Sequence, residues 1–495
     1  MRIMELLQGV RYEPAGGRLC FPDREVCGVS IDSRDCQEGS VFVCIRGSVC
    51  NGSRYANEAL EHGAGVLVAA KEERDQIDRI LGMFPECDGI LVDDERETAA
   101  LLAARYEGEP SRAMKMIGVT GTKGKTSTVT MIWKILTEAG IRTGMIGTTG
   151  QFDGKEHRPS EHTTPDAVTL QRSLARMRDN DCCACVMEVS SQALKLKRTA
   201  GIRFDLGVFL NLGEDHIGRF EHADKAEYLA CKRKLFLQST QAIVNEDDPA
   251  WKKILEGTGC PFHTFGIQNG DIRAEHIQTD GFVQGHPGTA FDIGNVRFEI
   301  PAPGIFTVYN ALAAVSVCRE CGIAPEQAAW SLKSVQVKGR MQFFSIPGGG
   351  EAVIDYAHNA MSLQSALHAL RAYHPARLIT VFGCGGQRAR ERRFQMGEVS
   401  GSLSDLTVIT SDNPRWEDPE AIMDDIETGV RKTKGNYLRI ADRKEAVKKA
   451  VAMAGPGDLV LIAGKGHETT QEIQGVFYQM DEQELVEEAC TQKLL

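Results

Sequence analysis

The sequence has no apolar run approaching the ~18 residues that a membrane-spanning helix needs, so membrane insertion is not expected. It also lacks any Lys/Arg-rich stretch interleaved with aromatics, and with a net charge of −11 it is not expected to bind nucleic acid. A cysteine framework is missing too: the 15 cysteines are odd in number and irregularly spaced. Reduced, buried thiols in a cytoplasmic protein are the expectation. Cys182, Cys183 and Cys185 fall in an apolar, strand-like run, and Cys318-x-x-Cys321 alone is too weak a spacing for a metal or redox site. Met1-Arg2-Ile3-Met4-Glu5 carries an early acid and no long apolar run, so a secretory signal is not expected.

What is present is an ordinary soluble composition, 42% hydrophobic and 25% charged, over 495 residues, which predicts roughly two to four domains. The pattern predicts an α/β fold in three domains. In residues 1–109, short β-like runs at 40–45 and 65–68 alternate with helical patterns, and Gly108-Glu109-Pro110-Ser111 reads as a linker. In residues 110–338, apolar runs at 116–119, 184–189, 205–212 and 241–244 alternate with helices, which argues a central parallel sheet. Between about 264 and 300 short glycine-rich β pieces suggest an antiparallel excursion. Residues 339–495 read as a Rossmann-like domain. Three apolar runs there end in polar clusters, Gly383-Cys384-Gly385-Gly386-Gln387-Arg388, Ser411-Asp412-Asn413-Pro414-Arg415 and Gly464-Lys465-Gly466-His467-Glu468. Parallel strands bring such clusters to one sheet edge, where open α/β folds bind ligands; ordinary strand-to-helix loops are the plainer alternative.

The most informative segment is Ile117-Gly118-Val119-Thr120-Gly121-Thr122-Lys123-Gly124-Lys125-Thr126-Ser127. A strand runs through three glycines into a helix, so backbone N–H groups and the positive helix end can cradle phosphates. Lys125 is placed to bridge the β and γ phosphates of ATP and Thr126 to reach Mg²⁺. The strict phosphate-loop spacing would need glycine where Val119 stands. Glu188, at a strand end before Ser190-Ser191, is a candidate metal ligand, as is His216 in Asn211-Leu212-Gly213-Glu214-Asp215-His216. Singly, a strand-end glutamate reads as a cap, a lone histidine as structural, and Lys232 as an amphipathic surface lysine.

In their order along the chain these segments resemble the Mur ligases. The resemblance rests on Thr-Gly-Thr-x-Gly-Lys-Thr, Met187-Glu188-Val189-Ser190-Ser191, Asp215-His216, Lys232-x-x-Leu-Phe, Tyr309-Asn310-Ala311-Leu312, Gly339-Arg340-Met341 and Asp355-Tyr356-Ala357-His358-Asn359. Asp32-Ser33-Arg34 and Thr163-Thr164-Pro165 are similar to the member that adds the third residue of the peptidoglycan stem. The resemblance implies a cytoplasmic ATP- and Mg²⁺-dependent amide ligase acting, as a monomer, on UDP-N-acetylmuramoyl-L-alanyl-D-glutamate (UDP-MurNAc-L-Ala-D-Glu) through an acyl phosphate.

By the same likeness Lys125, Glu188, His216 and Lys232 are catalytic. Gly121, Thr122, Lys123, Gly124, Thr126, Ser127, Asn310, Arg340 and Asp355 hold the nucleotide. Thr126, Glu188, His216 and a carbamylated Lys232 meet the metal, and Ser33, Thr163, Thr164, Ser190 and Arg198 meet the nucleotide-sugar dipeptide. Arg388, Asp412, Asn413, Pro414, Arg415, Gly464 and Glu468 form the acceptor pocket. Asp-Asn-Pro-Arg is the form associated with meso-diaminopimelate, whose far carboxylate Arg415 would grip, with Asp412 and Glu468 holding the amino end or orienting Arg415. Lys123, Gln192, Thr307 and Asn359-Ala360-Met361-Ser362 depart from the usual pattern, and are expected to bear on nucleotide affinity more than on reaction type. An L-lysine-adding ligase, a folylpolyglutamate synthetase and a non-catalytic nucleotide-binding paralogue remain alternatives.

Overall fold

Apolar runs with glycine or polar ends become parallel strands here because both of their faces are covered by helices. The computed structural model describes residues 1–47, 50–213, 218 and 221–494. These form two units, one of 1–271 with 316–321 and the other of 272–315 with 322–495.

The first unit holds two sheets. The N-terminal one runs Tyr12–Pro14, Asp88–Val92, Ala64–Ala70, Ser40–Val43, Gly28–Ser30, parallel except for its first strand. The second runs Phe262–Gly266, Ser239–Asn245, Phe204–Phe209, Lys115–Thr120, Ala184–Glu188, Thr143–Gly147, and then turns antiparallel through Gly150–Phe152. Lys115–Thr120 and Ala184–Glu188 are adjacent and in parallel register, with Glu188 opposite Val119, so the glycine loop and Glu188 leave the same sheet edge. Beneath them Met116, Met187, Phe204, Phe209, Leu235 and Phe236 form one core.

The second unit contains the antiparallel excursion, Glu275–Val283, His286–Ile293 and Val296–Ile300. Its main sheet runs Gln342–Ile346, Gly350–Asp355, Leu459–Ala463, Leu378–Phe382, Leu406–Ile409, Tyr437–Arg439, parallel except for the first strand. The three polar clusters therefore follow neighbouring parallel strands at one edge. A hairpin of Thr470–Ile473 and Val476–Gln479, which the sequence pattern did not suggest, follows the third cluster.

Two local expectations change. Glu109 adopts left-handed backbone (φ 52°), and Pro110 and Ser111 are buried at the start of the turn Pro110–Ala113, so this connection is packed rather than a free linker. Cys183 is exposed, as are Cys20, Cys27 and Cys50, while Cys182 and Cys185 are buried; all fifteen thiols are free.

Candidate active site

The glycine loop leads into the helix Lys125–Glu138, capped by Gly124 in left-handed backbone (φ 86°), which glycine adopts without penalty. Gly121 is needed for space, because a Cβ there would lie 2.9 Å from that of Leu210. Asn211 fixes the loop: its Oδ1 accepts from the Lys123 N–H at 2.9 Å, its Nδ2 donates to the Lys123 carbonyl at 3.1 Å, and its own carbonyl accepts from the Thr122 N–H at 3.0 Å. Lys125 Nζ donates to the Gly121 carbonyl at 2.7 Å and the Thr122 carbonyl at 3.3 Å, so the ammonium is folded over the cradle. The Thr122 hydroxyl lies 3.0 Å from that of Tyr228, and Lys232, fully buried, sets its ammonium 4.5 Å from the Tyr228 ring centre.

Glu188 is buried at the end of its strand. Its Oε1 accepts from the Thr148 N–H at 2.8 Å and its Oε2 from the Thr148 hydroxyl at 3.2 Å. Gly147 makes room for it, since a Cβ at 147 would lie 2.5 Å from Glu188 Oε1. The predicted substrate residues gather here. Thr163 Oγ1 is 3.0 Å from Thr148 Oγ1; the Thr164 hydroxyl donates to the Glu188 carbonyl at 2.8 Å and accepts from the Ser190 N–H at 3.0 Å; Arg198 Nη1 donates to the Thr164 carbonyl at 2.6 Å. Burial lowers the pKa of Arg198. The buried Thr126 hydroxyl and the Glu188 carboxylate are hard oxygen donors, a set that suits Mg²⁺. His216 lies outside the described residues.

Ser33 is buried in the N-terminal sheet's unit and donates to Glu58 Oε2 at 2.7 Å; next to it the Arg34 side chain holds the Asp32 carboxyl down to about 2.

In the second unit Asn310 is buried on the helix Ile305–Glu320. Arg340 stacks over the Tyr356 ring at 4.3 Å, and Asp355 Oδ2 accepts from the Met341 N–H at 2.9 Å. Thr307 bonds the Pro303 carbonyl at 3.2 Å, and Asn359 caps the helix Ala360–Arg371.

The acceptor clusters are tied together by charge. Lys465, fully buried, donates to Asn413 Oδ1 at 2.9 Å and Glu468 Oε2 at 3.0 Å, and Asn413 Nδ2 donates to the same Glu468 oxygen at 3.0 Å. Gly464 sits at φ 117°, and a Cβ there would lie 3.0 Å from Asp412 Oδ2. The Pro414 carbonyl would be 2.0 Å from a Cβ at Gly386. Asp412 Oδ1 accepts from the Asn413 N–H at 2.7 Å. Arg415 is oriented not by Asp412 or Glu468 but by Glu472: Nε donates to Glu472 Oε2 at 3.1 Å and Nη1 to the Gly386 carbonyl at 2.7 Å. Arg388 is exposed and is not drawn into this network.

Profiles of known families match along the chain: the Mur ligase family catalytic domain over 25–106, the Mur ligase middle domain over 119–318 and the Mur ligase glutamate ligase domain over 339–466. A UDP-N-acetylmuramoyl-L-alanyl-D-glutamate--2,6-diaminopimelate ligase of Clostridioides difficile is 38% identical across 100% of both chains, and the like-named protein of Syntrophomonas wolfei is 36% identical, also across 100% of both. The chain belongs to the Mur ligase family. A solved structure of a ligase of the same name is 27% identical, with a TM-score of 0.68 over 100% of this chain and 99% of that one.

For this Mur ligase, sequence reasoning missed the residues that hold the site residues in place. Thr148 carries no motif of its own, and Asn211 opens the segment singled out for His216. Lys465 stands inside a quoted cluster, where its burial was invisible. Arg443, fully buried, donates to Glu482 Oε1 through Nε at 2.8 Å and Nη2 at 2.6 Å, and to the carbonyls of Ala463 (2.8 Å) and Ser411 (3.3 Å) behind two acceptor loops. In sequence it is only a basic residue beginning a helix.

Proposed function

We propose that this Mur ligase joins meso-diaminopimelate to UDP-MurNAc-L-Ala-D-Glu with hydrolysis of ATP, in the cytoplasm, using domains that divide near residues 109 and 338. The observation that carries the reading is the Asp412-Asn413-Pro414-Arg415 loop, gathered with Gly464 and Glu468 at one sheet edge, in a chain alike over its full length to enzymes named for that reaction.

An unactivated carboxylate resists amines because oxide is a poor leaving group. Transfer of the γ-phosphoryl group to the D-glutamyl carboxylate gives an acyl phosphate; the acceptor amine adds to its carbonyl carbon, and the tetrahedral intermediate expels phosphate. Gly121, Thr122, Lys123, Gly124, Thr126 and Ser127 would cradle the nucleotide phosphates, with Asn310, Arg340 and Asp355 at the base and ribose. Lys125 would leave its two loop carbonyls to meet the transferring phosphate, where charge develops. Thr163, Thr164, Ser190 and Arg198 would orient the dipeptide beside Glu188, and Ser33 would lie at the uridine. Thr126, Glu188, His216 and a carbamylated Lys232 would hold Mg²⁺, which supplies charge neutralisation for the phosphoryl oxygens.

At the other end Arg415 would bind the acceptor's far carboxylate, which L-lysine lacks. A polar pocket deprived of its partner discriminates by roughly 10⁴-fold or more. The test is the kcat/KM ratio for meso-diaminopimelate over L-lysine, in the wild type and in Arg415→Ala. A large ratio that collapses in the variant is expected; equal use of both by the wild type, or a ratio that the substitution leaves alone, refutes the acceptor assignment.

A further inference from the structure

Arg415 does not wait with a free guanidinium. Its backbone is left-handed (φ 54°), and its N–H and carbonyl are bonded to the Glu472 carbonyl (3.2 Å) and the Gln474 N–H (2.7 Å), so the hairpin beginning at Thr470 runs beside it. The same hairpin is fastened to the rest of the loop. The Glu472 N–H donates to Asn413 Oδ1 at 3.0 Å, and Gln471 Nε2 donates to the Asp412 carbonyl at 2.6 Å. On that frame Glu472 Oε2 takes Arg415 Nε–H and the Gly386 carbonyl takes one Nη1–H, with both side chains about one-quarter exposed. Two of the guanidinium's five N–H donors are thereby assigned, and what remains is the second Nη1–H and the two on Nη2. One Nη2–H lies on the side of Nε, where Glu472 already holds the Nε–H, so the Nε–Nη2 edge is closed to a doubly bonded carboxylate; the other Nη2–H lies on the Nη1–Nη2 edge, the edge left for a pair of parallel hydrogen bonds.

We infer that Glu472 is a specificity-positioning residue: it locks Arg415 so that its Nη1–Nη2 edge is the one offered to the distal anionic group of the acceptor. The inference rests on the acceptor reading above. Glu472 also balances the charge of Arg415, so recognition of the distal carboxylate depends on the geometry of the guanidinium edge more than on a bare positive charge. A lysine acceptor, ending in an ammonium, makes no use of that edge and is indifferent to how it is held. Because backbone bonds also fasten the hairpin, loss of the Glu472 side chain leaves its docking in place while freeing the guanidinium to rotate.

The experiment compares wild type, Glu472→Ala and Glu472→Gln by phosphate release at saturating ATP, Mg²⁺ and UDP-MurNAc-dipeptide, with meso-diaminopimelate and L-lysine varied in turn. The expected result for Glu472→Ala is a KM for meso-diaminopimelate raised roughly tenfold or more, with kcat and the lysine KM within about twofold. Glu472→Gln keeps an oxygen for Nε–H and stays within about threefold of wild type. An unchanged or lowered KM in Glu472→Ala, or an equal loss with both acceptors, overturns the inference. The Arg415 Nε–H resonance, assigned by its disappearance in Arg415→Lys, separates this from failure of the acceptor reading. Its exchange with solvent should be slow in wild type and Glu472→Gln and at least roughly tenfold faster in Glu472→Ala. A wild type that does not use meso-diaminopimelate defeats the acceptor reading, whereas equal exchange in all three proteins defeats the positioning role.

Discussion

Replacing Gly147 by alanine adds one methyl group against the carboxylate on which the proposed metal site turns. The added Cβ would lie 2.5 Å from Glu188 Oε1 and 3.2 Å from its Cγ and Cδ, whereas ordinary contact begins at 3.4 Å, so the carboxylate must retreat by about 0.9 Å. Gly147 ends a strand and its φ is not among the positive values, so the substitution carries no backbone strain and isolates the clash. Glu188 has nowhere easy to go, because it is buried and both its oxygens are bonded to Thr148. Overpacking of this kind costs about 1–3 kcal/mol of stability, which a thermal melt would register without loss of the fold. A misplacement near 1 Å costs roughly 10²-fold in rate. The assay is acceptor-dependent phosphate release at a series of Mg²⁺ concentrations, with kcat/KM falling by about that factor and half-saturating Mg²⁺ rising. Activity within threefold of wild type at every Mg²⁺ concentration would refute the claim that the position of this carboxylate governs turnover.

Lys125→Ala should retain its melting behaviour and lose on the order of 10³-fold in kcat, measured by phosphate release, because its charge acts mainly in the transition state. Lys232→Ala should be inactive and partly restored by formate or acetate, a free carboxylate entering where the proposed carbamate would sit; the readout is activity against added anion. Burial holds the imidazole of His467 down to about 3 from an ordinary 6.5, so the neutral form is favoured in the folded state. That contribution is complete above about pH 6.5 and is lost as pH falls towards 3. Between pH 7 and 5, His467→Gln should therefore lose less stability than wild type, by on the order of 2 kcal/mol in urea melts.

The parts of this molecule that were legible from sequence are those where local chemistry and tertiary role coincide. The three apolar runs of the last domain that end in polar clusters became the parallel strands Leu378–Phe382, Leu406–Ile409 and Leu459–Ala463, because a short apolar run bounded by turn residues suits a strand buried on both faces. The glycine loop and the short segments Thr163–Pro165, Met187–Ser191, Ser411–Arg415 and Gly464–Glu468 were recognisable because each carries its chemistry in consecutive residues. What escaped were partnerships across long chain separations. Nothing in the order of residues links Gly147 or Thr148 to Glu188, or sets Glu472 rather than Asp412 against Arg415. The hairpin that delivers Glu472 is short and leaves Ile473, Val476, Phe477 and Tyr478 exposed, so no alternation of buried and exposed residues marks it. Cys183 shows the converse: its neighbours announce a buried strand, but it precedes the first strand residue, Ala184, and meets solvent.

The buried pair of Arg443 and Glu482 constrains how this enzyme can change over evolutionary time. Neither side chain reaches water, and Arg443 also braces the carbonyls of Ser411 and Ala463, at the roots of two acceptor loops. Losing either charge alone strands the other in a dry interior at a cost of about 3–5 kcal/mol, whereas exchanging both for packed apolar residues can be close to neutral. Descendants are therefore expected to keep both or to lose both, with few viable intermediates. Two positions 39 residues apart that never touch a substrate should then covary as tightly as residues within the pocket, and variation in the acceptor loops should follow the state of that pair.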